Sequence, residues 1–391
     1  MISASVGVGT GKDAYKVSRE AAIAAVEGLP NKKPQLLVVF ASVAFDQDQM
    51  LQGIRATAPD ALIIGCSTAG EISTEGLAME KSIVVLAMES DQMEFWGGVG
   101  NHLMWNPRQA GTECANAIQY ASNGYVRSCL MFLDVISGNG ELGIAGMREK
   151  LGPSIPLYGA AAADDLLFFK TYQYFNEAVL SGSMVGLGMS GEFTCAAALA
   201  DSFLPIGIPR VVTKATGVTV QEIDHKPAFS MYEDYFGTEH SLELRERLLS
   251  DLAVTFPLGI LDPATNSLIS RNPIYADKEG GMVFTAQIPE GAEAHLMISD
   301  TEQALASAKE AAEKVMHDLD GKTPRAAIIM NSVARRQLLG ANVDEEIRLI
   351  QGIIGRDVPL VGFYGYAQVD NVLEGRAPFH NAALIIWAIA E

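Results

Sequence analysis

Residues 62–72 read LIIGCSTAGEI, and the Cys66-Ser67-Thr68 cluster at its centre places a thiol and two hydroxyls directly after an apolar run. A thiol on a strand-to-turn elbow is one route to acyl or group transfer, provided that a histidine base comes within hydrogen-bond reach. The chain has six histidines from which a base could come. The competing reading is a buried cysteine packed as a small apolar side chain, the commoner fate of this residue type. In two sister segments the position of Cys66 is taken by Ala160 and Phe363, so thiol chemistry does not repeat. A hydrolase or transferase using Cys66 therefore stands as the alternative, and no catalytic residue is assigned.

Other chemistry-bearing residues are weighed in the same way. The stretch GVGTGK (7–12) has glycines near a lysine but lacks the spacing and Lys-Ser/Thr ending of a phosphate loop. Asp164 and Asp165 could supply carboxylates, although neighbours on an extended loop point apart, and such a pair more often caps a turn. His102 lies in GNHLMWNP, where Leu103, Met104 and Trp105 could wall a planar cofactor such as haem. The alternative is a loop histidine over an apolar cluster. His380, opening the last strand, is expected to tie its loop by hydrogen bonds. Cys66, Cys114, Cys129 and Cys195 show no C-x-x-C spacing, which argues against a zinc cluster or redox pair and for reduced, buried thiols.

Bulk properties narrow the class. Lys+Arg 28 against Asp+Glu 47 gives a net charge of −19, which repels nucleic-acid phosphates and anionic bilayers. The start, MISASVGVGTGKDAYK, has no signal-peptide pattern, and the apolar run AALIIWAIA (382–390) is far short of the roughly 20 residues that span a bilayer. A soluble, cytoplasmic protein without membrane insertion is expected. At 391 residues, 49% of them hydrophobic, the chain can build two domains or one large domain from repeats.

The elements that must position these residues recur three times. QLLVVFAS (35–42), a helix and ALIIGCSTAGEI (61–72) are followed by SIVVLAME (82–89). SCLMFLDV (128–135), a helix and IPLYGAAAADD (155–165) are followed by SMVGLGMS (183–190). AAIIMNS (326–332), a helix and VPLVGFYGYAQV (358–369) are followed by NAALIIWAIA (381–390). In each, a glycine (Gly65, Gly159 or Gly362) is expected to stand just before a turn. Near-continuous apolar runs read as strands covered on both faces, and strand-helix-strand crossovers imply parallel pairing. The fold class is thus α/β: two domains with mixed, mostly parallel sheets built from repeated β-α-β-β units with covering helices. The Pro- and Gly-punctuated PIGIPR marks a boundary at 205, dividing the chain into 1–204 and 205–391.

The run VVFASVAFDQDQMLQGIRATAPDALIIGCSTAGEI resembles the N-terminal half of the FIST domain, and PLYGAAAADD resembles that family's second glycine motif. IDHKPAFSMYEDYFG, ISRNPI, PLVGFYGYAQV and FHNAALIIWAI resemble the FIST C-terminal half in order. The chain departs from that half at Val333, where the family has cysteine, and at Gln368, where it has glutamate; Arg335 is retained. The resemblance implies a cytoplasmic sensory protein that binds a small ligand, such as an amino acid. It would signal to a separate partner: a histidine kinase, a chemoreceptor or a cyclic-dinucleotide enzyme. Some stand-alone relatives resemble haem proteins that sense nitric oxide, and for that reading His102 is the candidate haem or metal ligand; otherwise the cofactor is left open. The expected ligand site gathers Cys66, Ser67 and Thr68, the anion Asp165, the cations Arg271 and Arg335, and the covering rings Tyr364 and Tyr366. They would lie at the carboxyl ends of the strands, where α/β sheets place ligands.

Overall fold

A computed structural model describes residues 1–238, 255–262, 266–371 and 379–391. His240 falls outside them. The interior strands alternate in where they point. Leu36, Val38 and Phe40 enter one apolar cluster, while Leu37, Val39 and Ala41 enter another beneath helices. Leu130 and Phe132 against Met131 and Leu133 repeat the division, as do Ile328 and Met330 against Ala327 and Ile329. Both faces are therefore dry, which is why these strands read as unbroken apolar runs. The inward residues share one centre, where Phe40 lies 5.4 Å from Phe132 and 4.5 Å from Phe363, ring centroid to centroid.

Three six-stranded sheets surround that centre with the same strand order. The first unit contributes Ile2–Thr10, Ser82–Ser90, Leu36–Ser42 and Leu62–Thr68, in that spatial order. The second contributes Met93–Gly100, Met184–Gly191, Ser128–Leu133 and Leu157–Ala161; the third, Thr194–Ala200, Leu384–Ala390, Pro324–Ser332 and Leu360–Gly365. In each unit the last two strands pair in parallel and the others antiparallel. The mixed α/β class with repeated units expected from the sequence is observed, but the sheets are mostly antiparallel and not mostly parallel, with one parallel pair in each central sheet. Each repeat also has an opening strand and helix that lie outside the unit expected from the sequence. In the third unit that helix is Thr301–Asp318. Asp13, Asp46, Asn106, Asn139 and Asp300 each cap a covering helix by accepting the amide three residues on.

Each sheet is completed by strands from another unit. Glu71–Ser73 and Leu77–Met79 leave the first unit and pair beside Leu360–Gly365 of the third. Gln173–Phe175 and Ala178–Leu180 leave the second for the first, and Gln368–Val369 and Phe379–His380 leave the third for the second. The exchange is cyclic and closes on itself.

Gly65, Gly159 and Gly362 do not precede a turn. Each lies inside its strand, opposite Val39, Met131 or Ile329, and an added Cβ would stand 1.8, 2.2 or 2.2 Å from that residue's carbonyl oxygen. They are glycine because two parallel backbones approach closely there. The glycines of GVGTGK have a related cause: a Cβ on Gly7 would lie 2.0 Å from the Ala21 carbonyl oxygen of the covering helix.

Between the opening strand and the opening helix of the third unit, the described residues of 204–298 form an inserted eight-stranded sheet with its own core around Phe229, Tyr232, Leu258 and Leu296. The boundary placed at 205 falls inside the first strand of this sheet, Leu204–Thr216.

Candidate functional site

At the carboxyl ends of the strands Leu62–Thr68 and Pro324–Ser332 lies a cavity of about 710 Å³. All three units line it: Ala69, Glu80 and Lys81 from the first, Asp165 and Leu166 from the second, Val333, Arg336 and Gln337 from the third. Ser332 caps the helix Val333–Leu339 through the Arg335 amide, which sets the direction in which Arg336 leaves the backbone. The Arg336 guanidinium lies 5.3 Å from the centre of the Tyr364 ring, donates to the Ala69 carbonyl at 2.5 Å and pairs with the exposed Glu80 carboxylate. Across the cavity, Asp165 accepts from the Ser42 hydroxyl at 3.4 Å. Partial burial raises its carboxyl above the ordinary carboxylate range, against the opposing pull of Arg336.

Asp164 builds the loop that presents Asp165. Its carboxylate collects the amides of Phe168, Phe169 and Lys170 at 3.0, 2.7 and 2.8 Å and accepts the Tyr366 hydroxyl. Asp165, Leu166 and Phe168 take the left-handed conformation under that constraint. Of the aspartate pair, one caps the turn and the other faces the cavity.

Two residues after the cavity-lining Ala69 is Glu71, fully buried. Thr68 donates its hydroxyl to one carboxyl oxygen, and Ser82 donates its amide at 3.1 Å and its hydroxyl at 2.6 Å to the other. Burial nevertheless lifts this group from 4.5 to about 7, the three donors pulling down and Asp165 pushing up.

The remaining expected site residues are placed otherwise. Cys66 is fully buried in the central core, and burial pushes its thiol well up, so it is no exposed elbow nucleophile. Ser67 does not form a rim: its hydroxyl donates to the Ala163 carbonyl and accepts the Tyr172 amide, sewing the first unit to the second. Thr68 is buried and serves Glu71. Arg335 points away from the cavity into a closed network with Glu346 at 2.5 Å, Ala304, Ser202 and Ser307. Arg271 ties the inserted sheet down through the Phe379 carbonyl and Glu141. Beside it His380 is held neutral, its ring pushed down to about 3 by burial and by Arg271. Tyr364 is a buried platform under Arg336, and Tyr366 stacks on Phe168 at 4.5 Å. Asp165 is thus the expected residue that reaches the cavity directly. Arg336, Glu80, Lys81 and Glu71 complete the site and were not singled out from the sequence.

His102 and its neighbours do not fit a haem. Leu103 is buried, whereas Met104 and Trp105 are 59% and 81% exposed, so the three apolar side chains form no common wall. Among the described residues no group of three or more His, Cys, Asp or Glu side chains is placed to hold a metal ion.

Comparison with known proteins gives the family of the chain. The FIST N domain matches residues 35–226, and the FIST C domain matches residues 228–369. The chain belongs to the FIST family. FIST domains are associated with sensory and signalling proteins. Similar relatives include an uncharacterized protein of Methanocaldococcus jannaschii, 24% identical over 69% of this chain and 56% of its own length. The chain thus spans little more than half of that relative. An uncharacterized protein of Mycobacterium tuberculosis is 23% identical over 94% of each chain. Among solved structures, cyanuric acid hydrolase from A. caulinodans is similar at TM-score 0.35 and 9% identity over the whole of both chains. T. maritima PurL complexed with AMPPCP is similar at TM-score 0.24 and 10% identity, over all of this chain and 72% of that one. No helix among the described residues is long and apolar enough to cross a membrane.

Proposed function

We propose that this FIST protein is a sensor whose cavity binds a small zwitterion of the amino-acid class. The reading is carried by one observation: opposite charges from different units, Arg336 and Asp165, face a single 710 Å³ cavity at the carboxyl ends of the strands. A ligand carboxylate displaces Glu80 from Arg336, which costs little because Glu80 is 68% exposed and such surface pairs are worth about 0–1 kcal/mol. Lys81 adds a second cation, and Asp165 takes the ammonium end. Because the three units contribute different walls, a ligand that bridges them favours one relative placement of the units over another. A separate cytoplasmic partner, such as a histidine kinase, a chemoreceptor or a cyclic-dinucleotide enzyme, reads that difference.

The burial of Cys66 favours this reading over a thiol enzyme, and the splayed side chains beside His102 favour it over a haem sensor. Thermal-shift screening of the full chain against the free amino acids tests the proposal. At least one is expected to stabilise the wild type and to leave Arg336→Ala unmoved. Stabilisation that persists undiminished in Arg336→Ala removes this residue from the site.

A further inference from the structure

The link between the donated strand Leu77–Met79 and the returning strand Ser82–Ser90 is two residues long, Glu80 and Lys81, and both line the cavity. One residue anchors both ends of that link. Met79 pairs with Glu71 along the backbone, and Ser82 donates its amide and hydroxyl to the Glu71 carboxyl group. Lys81 closes the turn in the left-handed conformation, at φ 52°. The two exposed side chains so presented have opposite charges and unequal commitments: Glu80 pairs with Arg336, whereas Lys81 forms no ion pair with any described residue. On the facing loop, the Asp165 carboxyl feels both Arg336 and Glu80. The cavity walls thus carry two cations, Lys81 and Arg336, and two anions, Glu80 and Asp165. Glu80 is 68% exposed and can turn out into water, which leaves two cations facing one anion.

We propose that the cavity selects an acidic amino acid, with Lys81 reading the side-chain carboxylate while Arg336 and Asp165 hold the α-carboxylate and the ammonium. The proposal rests on the cavity being the amino-acid site. A neutral amino acid brings one carboxylate and one ammonium, so it satisfies Arg336 and Asp165 and leaves Lys81 without a partner. An acidic one brings the missing carboxylate. The volume of about 710 Å³ leaves room for a side chain that extends to a second cation. The rest of the molecule does not supply this attraction: with a net charge of −19 its wider field opposes an anion, so selection for one must act at contact distance. A carboxamide can accept a hydrogen bond from the Lys81 ammonium as well, but without the charge. The preference for acid over amide is therefore that of one partly exposed ion pair, about fivefold in affinity.

Titration calorimetry of the full chain at low ionic strength with glutamate, aspartate, glutamine and asparagine tests it, in wild type, Lys81→Gln and Lys81→Arg. Each acid and its amide have nearly the same shape, so their affinity ratio isolates the charge of the side chain. In the wild type at least one acid is expected to bind about fivefold tighter than its own amide. The ratio is expected to fall to about one in Lys81→Gln and to persist in Lys81→Arg. An amide that binds the wild type as tightly as its acid, a ratio undiminished in Lys81→Gln, or a ratio lost in Lys81→Arg overturns the proposal. Binding of neutral amino acids alone, abolished in Arg336→Ala, would sustain the sensor reading and overturn the acidic selectivity. Binding of no free amino acid at all would remove both.

Discussion

Arg335 and Arg336 are adjacent in the sequence and have opposite fates. Arg335→Ala strands Glu346 as a buried unpaired charge and is expected to cost about 3–5 kcal/mol in urea unfolding, whereas Arg336→Ala is expected to stay within about 1 kcal/mol of wild type. Cys66 is expected to resist thiol reagents in the folded chain and to react only after unfolding, as mass spectrometry of modified peptides would show. Glu71 contributes a pH dependence of definite sign. Its native value of about 7 lies above its ordinary 4.5, so the native state holds the proton that the unfolded chain releases between them. The resulting stability is full below 4.5 and lost as pH rises through about 7; the shift corresponds to about 3 kcal/mol in sum. Glu71→Gln is expected to flatten the fall in unfolding free energy from pH 5 to 8.

At the scale of elements, the strand glycines form one device used three times. Gly159→Ala is expected to cost about 1–3 kcal/mol because the new methyl meets the Met131 carbonyl, and Gly362→Ala is expected to match it against Ile329. The interior strands were legible because burial on both faces leaves an apolar run. The opening strand ISASVGVGT was passed over although Ile2, Ala4, Val6 and Val8 alternate toward the central core, because its serines and glycines read as a loop; Gly7 and Gly9 are small to admit the helix Ala14–Glu27. The donated strands EIS, QYF and QV span two or three residues, too few for any periodicity to register. For the same reason the sequence placed Cys66, Ser67 and Thr68 on a rim, although the chain runs on through Thr68 and turns later. Which of Arg335 and Arg336 faces the cavity depends on the phase of one short helix, set by the Ser332 cap and not by residue type.

At the scale of the molecule, the cyclic exchange makes each sheet depend on another unit's strands. The three units are therefore expected to lose secondary structure and Trp387 burial in one coincident transition. Separate transitions for the central sheets would contradict that coupling. The same arrangement gives a ligand in the cavity purchase on all three units at once, through Arg336, Asp165 and Lys81. That claim is met most directly by titration calorimetry with whichever amino acid stabilises the chain, its decarboxylated amine and its deaminated acid. Arg336→Ala is expected to weaken the zwitterion and the acid at least about tenfold, or 1.4 kcal/mol, and to spare the amine; Asp165→Asn should do the converse. Affinities that fall equally for all three compounds, or that do not change in either variant, would contradict charge-paired binding in this cavity.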